Sequence, residues 1–281
     1  MWTASERRYT PASILGFTQP MSLLDAPETP VPEIPTFRRP FRPALAFTVR
    51  TGIILLVVFT ILRVVLVLQA NLTGSYQATG AIFVVMALLP LIVLTKEGRR
   101  RIGLVRPSRW RWVPVALVAG AACAAAVYIL GTVMYGAQIE NPFVYISRSY
   151  AAVPTDLSEQ SRLIFFVIFA AIGMTYSPIG EELFYRGLVH ESLATSWGSR
   201  RAAITEAGAF ALAHLAHFGI IYVGGVWALL PFPALLWVAA MFGSALVFYG
   251  FRVLSGSLLG AILAHAGFNL VMNFIIFYVI L

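Results

Sequence analysis

The chain has 281 residues, of which 59% are hydrophobic and 11% charged, with a formal net charge of +8. Soluble domains carry about 25% charged residues, so an ordinary soluble protein is excluded and a polytopic membrane protein is indicated. The basic residues are almost all arginine, Lys96 being the sole lysine, and they cluster between apolar segments as topology signals rather than as a nucleic-acid surface.

Residues 1–44 read as a disordered, Pro/Arg-rich cytoplasmic tail, with Pro27, Pro30, Pro32 and Pro35 close together and no signal-peptide pattern. Arg38-Arg39-Pro40-Phe41-Arg42 suits a headgroup region at its end. Residues 45–281 read as an all-α, polytopic transmembrane helical bundle of about seven spans, each close to the ~20 residues that cross a bilayer. The spans run near Thr51–Gln69, Ala78–Leu94, Val113–Tyr135, Leu163–Ile179, Ala202–Val223, Phe232–Tyr249 and Ser257–Leu281. The fourth helix is expected to continue through Glu181 and Glu182 towards Leu193. Cys123, the single cysteine, lies in an Ala-rich run, so no intrachain disulfide and no CxxC metal site can form.

The loops Lys96–Trp112 and Thr195–Arg201 are arginine-rich, and Arg252 lies between the last two spans. The alternate loops carry few basic residues. The positive-inside rule then predicts a cytoplasmic N-terminus and an external C-terminus. Poverty in lysine beside abundant Ala, Gly and Arg suits a bacterial plasma-membrane protein. Arg63 is an exception within the first span, expected to snorkel outward or to contact another helix.

Charges at membrane depth pair with one another or do chemistry. Glu181-Glu182-Leu183-Phe184-Tyr185-Arg186 brings two carboxylates and an arginine into an apolar setting, and His214, His265 and Asn269 lie on two further apolar segments. Counted from the basic loops, these groups reach similar depths, in the half of the membrane nearest those loops. Glu182 and Arg186 are four apart and can pair on one helix face. Glu181 falls about 100° around the helix from Glu182, so it is expected to stay unpaired and available as a base. The plainer readings make His190 a surface residue, Glu206 an exposed or interfacial partner of Arg201, His217 a packing or pore-edge residue and Asn273 interhelical glue.

Glu181–Arg186, Phe210–His214 and His265–Asn269 resemble, in order, the EExxxR, FxxxH and HxxxN motifs of the CAAX-protease and bacteriocin-processing (CPBP, or Abi) family of intramembrane proteases. The resemblance covers about residues 163–281, and Arg101–Pro107 is similar to a loop common in the family. It implies that Glu181, assisted by His214, activates the attacking water, that His265 and Asn269 stabilise the oxyanion, and that Glu182 and Arg186 support the helix. It also implies an endopeptidase acting on a membrane-associated peptide or lipid-modified protein. Glu181, His214 and His265 could hold a divalent metal such as zinc, yet no HExxH helix is present and a metal-free glutamate mechanism uses the same residues. The rival readings are a non-catalytic immunity or scaffold membrane protein, and a proton-coupled transporter using Glu and His as a relay.

Overall fold

The structure is a computed structural model and describes residues 35–150, 153–154 and 157–281. Most of the tail expected at residues 1–44 lies outside these. Its described end is seated rather than loose. Phe37 is buried and bridges to Leu94, and the Arg38 guanidinium donates to the carbonyls of Leu94 and Leu91, each at 3.1 Å.

Apolar runs fold as long helices whose backbone groups are satisfied within the segment, as a bilayer requires, with Pro90 lying inside one of them. These are α1 (Val49–Thr73), α2 (Gln77–Val93), α4 (Trp112–Tyr135), α8 (Pro231–Ser255) and α9 (Leu258–Ile275, prolonged by a π-helical turn at Ile276–Ile280), with short α3 (Lys96–Arg101) and α5 (Pro142–Ser147) between them. Thr48, Ser158 and Ser257 cap the starts of α1, α6 (Glu159–Glu181) and α9, each accepting a bond from a free amide of the first turn. After α6 the helix continues through a π-helical stretch, Glu182–Val189, into α7 (His190–Ala213), as the apolar pattern towards Leu193 foretold.

Five helical stretches are long and apolar enough to cross a membrane, and Gln77–Val93 is a shorter apolar helix. One of the five, Glu159–Ala216, is interrupted at Gly198, whose φ of 76° and ψ of 156° leave the helical region. Glu181 and His214 lie almost equally far in sequence on either side of Gly198, and both touch the same guanidinium, that of Arg63. The chain therefore doubles back at Gly198, and the stretch makes two passages. Large aliphatic residues such as Ile61, Val65, Val118, Val133, Val167 and Leu235 point outward along the helices, as lipid-facing positions should. The protein is an integral membrane protein.

The fifth span departs from expectation. Its helix stops at Ala213, a 3-10 turn follows at His214–Ala216, and β1 (Ile220–Val223) pairs antiparallel with β2 (Val226–Leu229). Gly224 and Gly225, at φ 60° and 83°, form the two-residue turn. Gly219, also at positive φ, separates the hairpin from the helix.

Small residues set the position of α9. A Cβ at Gly120 of α4 would run into the carbonyl of Ala264, and one at Gly267 of α9 into that of Leu117. Such approach of backbones is how membrane helices gain packing energy where lipid offers no hydrophobic drive. At the basic end, Arg252 donates to the carbonyl of Ile102 at 3.2 Å and the Leu258 amide to Gly103 at 2.9 Å. The Arg101–Pro107 loop thus holds the α8–α9 turn in place.

Candidate active site

The π-helical stretch carries Glu182 through Val189, all buried, and turns the two glutamates in different directions. Wide i→i+5 turns in an otherwise α-helical run are frequent at functional sites. Glu182 faces α9: its Oε1 accepts from Nδ1 of His265 at 2.9 Å. Its Oε2 lies 3.2 Å from Nε of Arg186, a charge pair without the alignment of a good hydrogen bond. Arg186 also donates to the carbonyl of Ala245 at 3.2 Å, and its guanidinium lies over the ring of Phe210, 4.5 Å from the centroid. The expected Glu182–Arg186 pair is present, and Glu182 in addition orients His265.

Glu181 corrects the reading made of it. Its carboxylate is not unpaired: it forms an ion pair with Arg63 of α1, both groups being almost wholly buried. Arg63 is therefore one of the alternatives expected for it, a contact to another helix, and it does not snorkel. The same guanidinium reaches Nε2 of His214 at 3.1 Å and Nε2 of His217 at 3.4 Å. A guanidinium has only donors, so both imidazole Nε2 atoms act as acceptors. His214 accordingly carries its proton on Nδ1, which donates to the carbonyl of Phe210 at 2.7 Å. That FxxxH spacing, one helical turn, fixes the tautomer.

His265 has Nδ1–H on Glu182 and Nε2 3.5 Å from Oε2 of Glu181. The approach of His265 Nε2 to Glu181 Oε2 is an ion-pair distance without the alignment of a hydrogen bond. Phe248 stacks on the His265 ring, with centroids 4.9 Å apart and planes 13° from parallel. Asn269 donates through Nδ2 to the carbonyl of Gly173 at 2.8 Å and to the hydroxyl of Ser177 at 3.1 Å. Asn273, one turn on, donates to the Asn269 carbonyl and accepts from the Tyr150 hydroxyl at 2.9 Å.

Glu181, His214, His265 and Asn269 all line one cavity of about 170 Å³, with Arg63, Ser177 and His217. The volume is large enough for a water molecule with room beside it. Ile146 and His217 also line a second, polar cavity with Asn71, Tyr76, Arg148 and Tyr222. These residues sit at the end of the bundle that carries the hairpin. Through Ile146 and His217 the two cavities adjoin.

Two further readings are corrected. His190 and Glu206 are neither surface nor interfacial: both are buried, with Nδ1 and Oε1 3.4 Å apart. His190 packs on Tyr249, with ring centroids 4.9 Å apart.

The metal question can be put to the donors directly. Among the described residues no three His, Cys, Asp or Glu side chains are gathered closely enough to hold a metal ion. The reason is visible: the Arg63 guanidinium stands between Glu181 and His214, where a metal shared by them would sit. The residues as arranged do not fit a metal on Glu181, His214 and His265, which the sequence had left as one of two alternatives.

The fold and the site together define a helical membrane protein with a buried glutamate–histidine–arginine cluster on an internal cavity. The family model described as type II CAAX prenyl endopeptidase Rce1-like matches residues 163–271. The match spans the segment bearing all three motifs, which is thus similar to the CAAX-protease-like membrane endopeptidases, in agreement with the CPBP resemblance. No curated protein and no solved structure matches the chain.

Proposed function

We propose that the protein hydrolyses a peptide bond of a membrane-associated or lipid-modified peptide, with Glu181 as the base that activates water. The observation that carries this reading is the meeting of Glu181, His214, His265 and Asn269, from three helical passages, on one cavity large enough for water. Glu181 accepts a proton from the water, whose oxygen adds to the carbonyl carbon of the scissile bond. His214 assists through Arg63: its Nε2 lone pair accepts from the guanidinium and so fixes the group that orients the Glu181 carboxylate towards the water. The carbonyl oxygen becomes an oxyanion, taken up by the Asn269 amide as it leaves Ser177 and by Nε2–H of His265, whose ring is in this reading the doubly protonated cation between Glu181 and Glu182. The carbon–nitrogen bond then breaks, and the proton held by Glu181 passes to the departing amine.

Glu182 contributes by holding the His265 proton on Nδ1, and Arg186 balances the Glu182 charge. No step requires a metal.

Cleavage profiling of a peptide library in proteoliposomes, wild type against Glu181→Gln, tests the reading. Cleavage by the wild type and, from a folded Glu181→Gln, cleavage only at a rate about 10²–10⁴-fold lower are expected. Equal cleavage by both would remove Glu181 from the chemistry. Folding must be checked by size-exclusion and circular dichroism, because the substitution leaves the Arg63 charge without its carboxylate.

A further inference from the structure

Arg63 lies on α1, far outside the family-matched segment, and yet it is the side chain around which the site is arranged. It is 2% exposed, pairs with Glu181, and reaches both His214 and His217. Phe83 and Phe210 hold its guanidinium between them, with centroids 5.4 Å and 5.9 Å away. Arg63 lies on the buried stripe of α1 with Leu56, Phe59, Val67 and Ala70, and an arginine among such apolar neighbours is expensive unless it serves the interior.

We propose that Arg63 is a positioning residue of the site, a built-in cation that takes the place between Glu181 and His214 that a metal ion would otherwise fill. This rests on the hydrolytic reading above. A guanidinium presents several donors in a rigid fork, so one group fixes the carboxylate of Glu181 and the acceptor nitrogens of two histidines at once. It thereby sets which carboxylate oxygen meets Arg63 and which turns to His265, and it makes His214 Nε2 an acceptor. Lysine, a single point charge, cannot hold all three partners in this geometry.

The test measures kcat and KM for peptide cleavage in proteoliposomes for wild type, Arg63→Lys, Arg63→Ala and Glu181→Gln. Folding is checked for each, and the zinc content of the wild type is measured after equilibrium dialysis. Arg63→Lys should fold, keep KM and lose kcat by roughly 10²-fold, comparable to removing one preorganised donor. Arg63→Ala, if folded, should lose at least as much and regain part of it with added guanidinium but not methylammonium. Should Arg63→Ala fail to fold, Arg63→Lys alone decides. Wild-type kcat in Arg63→Lys would overturn the proposal, since charge balance alone would then suffice. So would stoichiometric zinc in the wild type that is lost in His214→Ala. If Glu181→Gln itself cleaves at the wild-type rate, the hydrolytic reading fails whatever Arg63 does. If Glu181→Gln is slowed about 10²–10⁴-fold and Arg63→Lys is fully active, only the role of Arg63 fails.

Discussion

The molecule buries a carboxylate beside an imidazole in two separate places. One is Glu181 with His265 and His214; the other is Glu206 with His190. Burial is equal, with 1% and 0% of the carboxylate side chains exposed. The surroundings differ. Glu181 has Arg63 on one oxygen, His265 facing the other, and a cavity in front. The Glu206 oxygens and His190 Nδ1 have no hydrogen-bond partner among the described residues, and aromatic packing closes over the pair. Polar groups at membrane depth thus do not define a site by themselves. Room for water and a guanidinium in direct contact with the carboxylate separate the first arrangement from the sealed one.

Substitutions sharpen or break this contrast. The largest effect is expected for Glu181→Gln, which keeps the shape but cannot accept a proton: kcat of the folded protein should fall by about 10²–10⁴-fold, read by peptide cleavage at saturating substrate. Glu182→Gln should lower stability by about 3–5 kcal/mol, because it strips the carboxylate from a buried arginine. Thermal unfolding in detergent measures this, with residual activity reduced through His265. Asn269→Ala should leave the fold intact and slow turnover by roughly 10²–10³-fold, with KM little changed. Gly267→Ala pushes a methyl into the Leu117 carbonyl, and should destabilise by about 1–3 kcal/mol. Glu206→Gln is expected to have the smallest effect on chemistry: Tm shifts while kcat stays at the wild-type value. A loss of kcat there equal to that of Glu181→Gln would erase the distinction between the two pairs.

Much of this was legible from residue order. The apolar runs located the helical passages, the i,i+4 spacing announced Glu182–Arg186, and the three motifs named the side chains that meet at the cavity. Arg63 was visible as an anomaly but not as a partner. Its bond to Glu181 spans 118 positions, and no local pattern encodes which helix an isolated charge will meet. The freedom assigned to Glu181 failed for the same reason. His190 and Glu206 looked interfacial because they lie near Arg200-Arg201, yet the turn at Gly198 carries them inside. The hairpin did have a signal: β-branched and aromatic residues flank Gly224-Gly225, a two-residue turn pattern that overall hydrophobicity masked. The π-helical geometry of Glu182–Val189 has no comparable mark, since apolar spacing reads alike for α and π turns over so short a length.

The central claim is that water, activated at the cavity by Glu181, supplies the oxygen of the new carboxyl group. A single-turnover cleavage in oxygen-18 water tests it most directly, with mass spectrometry of the N-terminal product from wild type, Glu181→Gln and Glu206→Gln. The account predicts one oxygen-18 atom in the first-turnover product of the wild type and of Glu206→Gln, and product from Glu181→Gln only at a rate about 10²–10⁴-fold lower. Unlabelled first-turnover product would mean that a protein carboxylate attacks the peptide, and labelled product at the wild-type rate from Glu181→Gln would place the base elsewhere; either result contradicts the account.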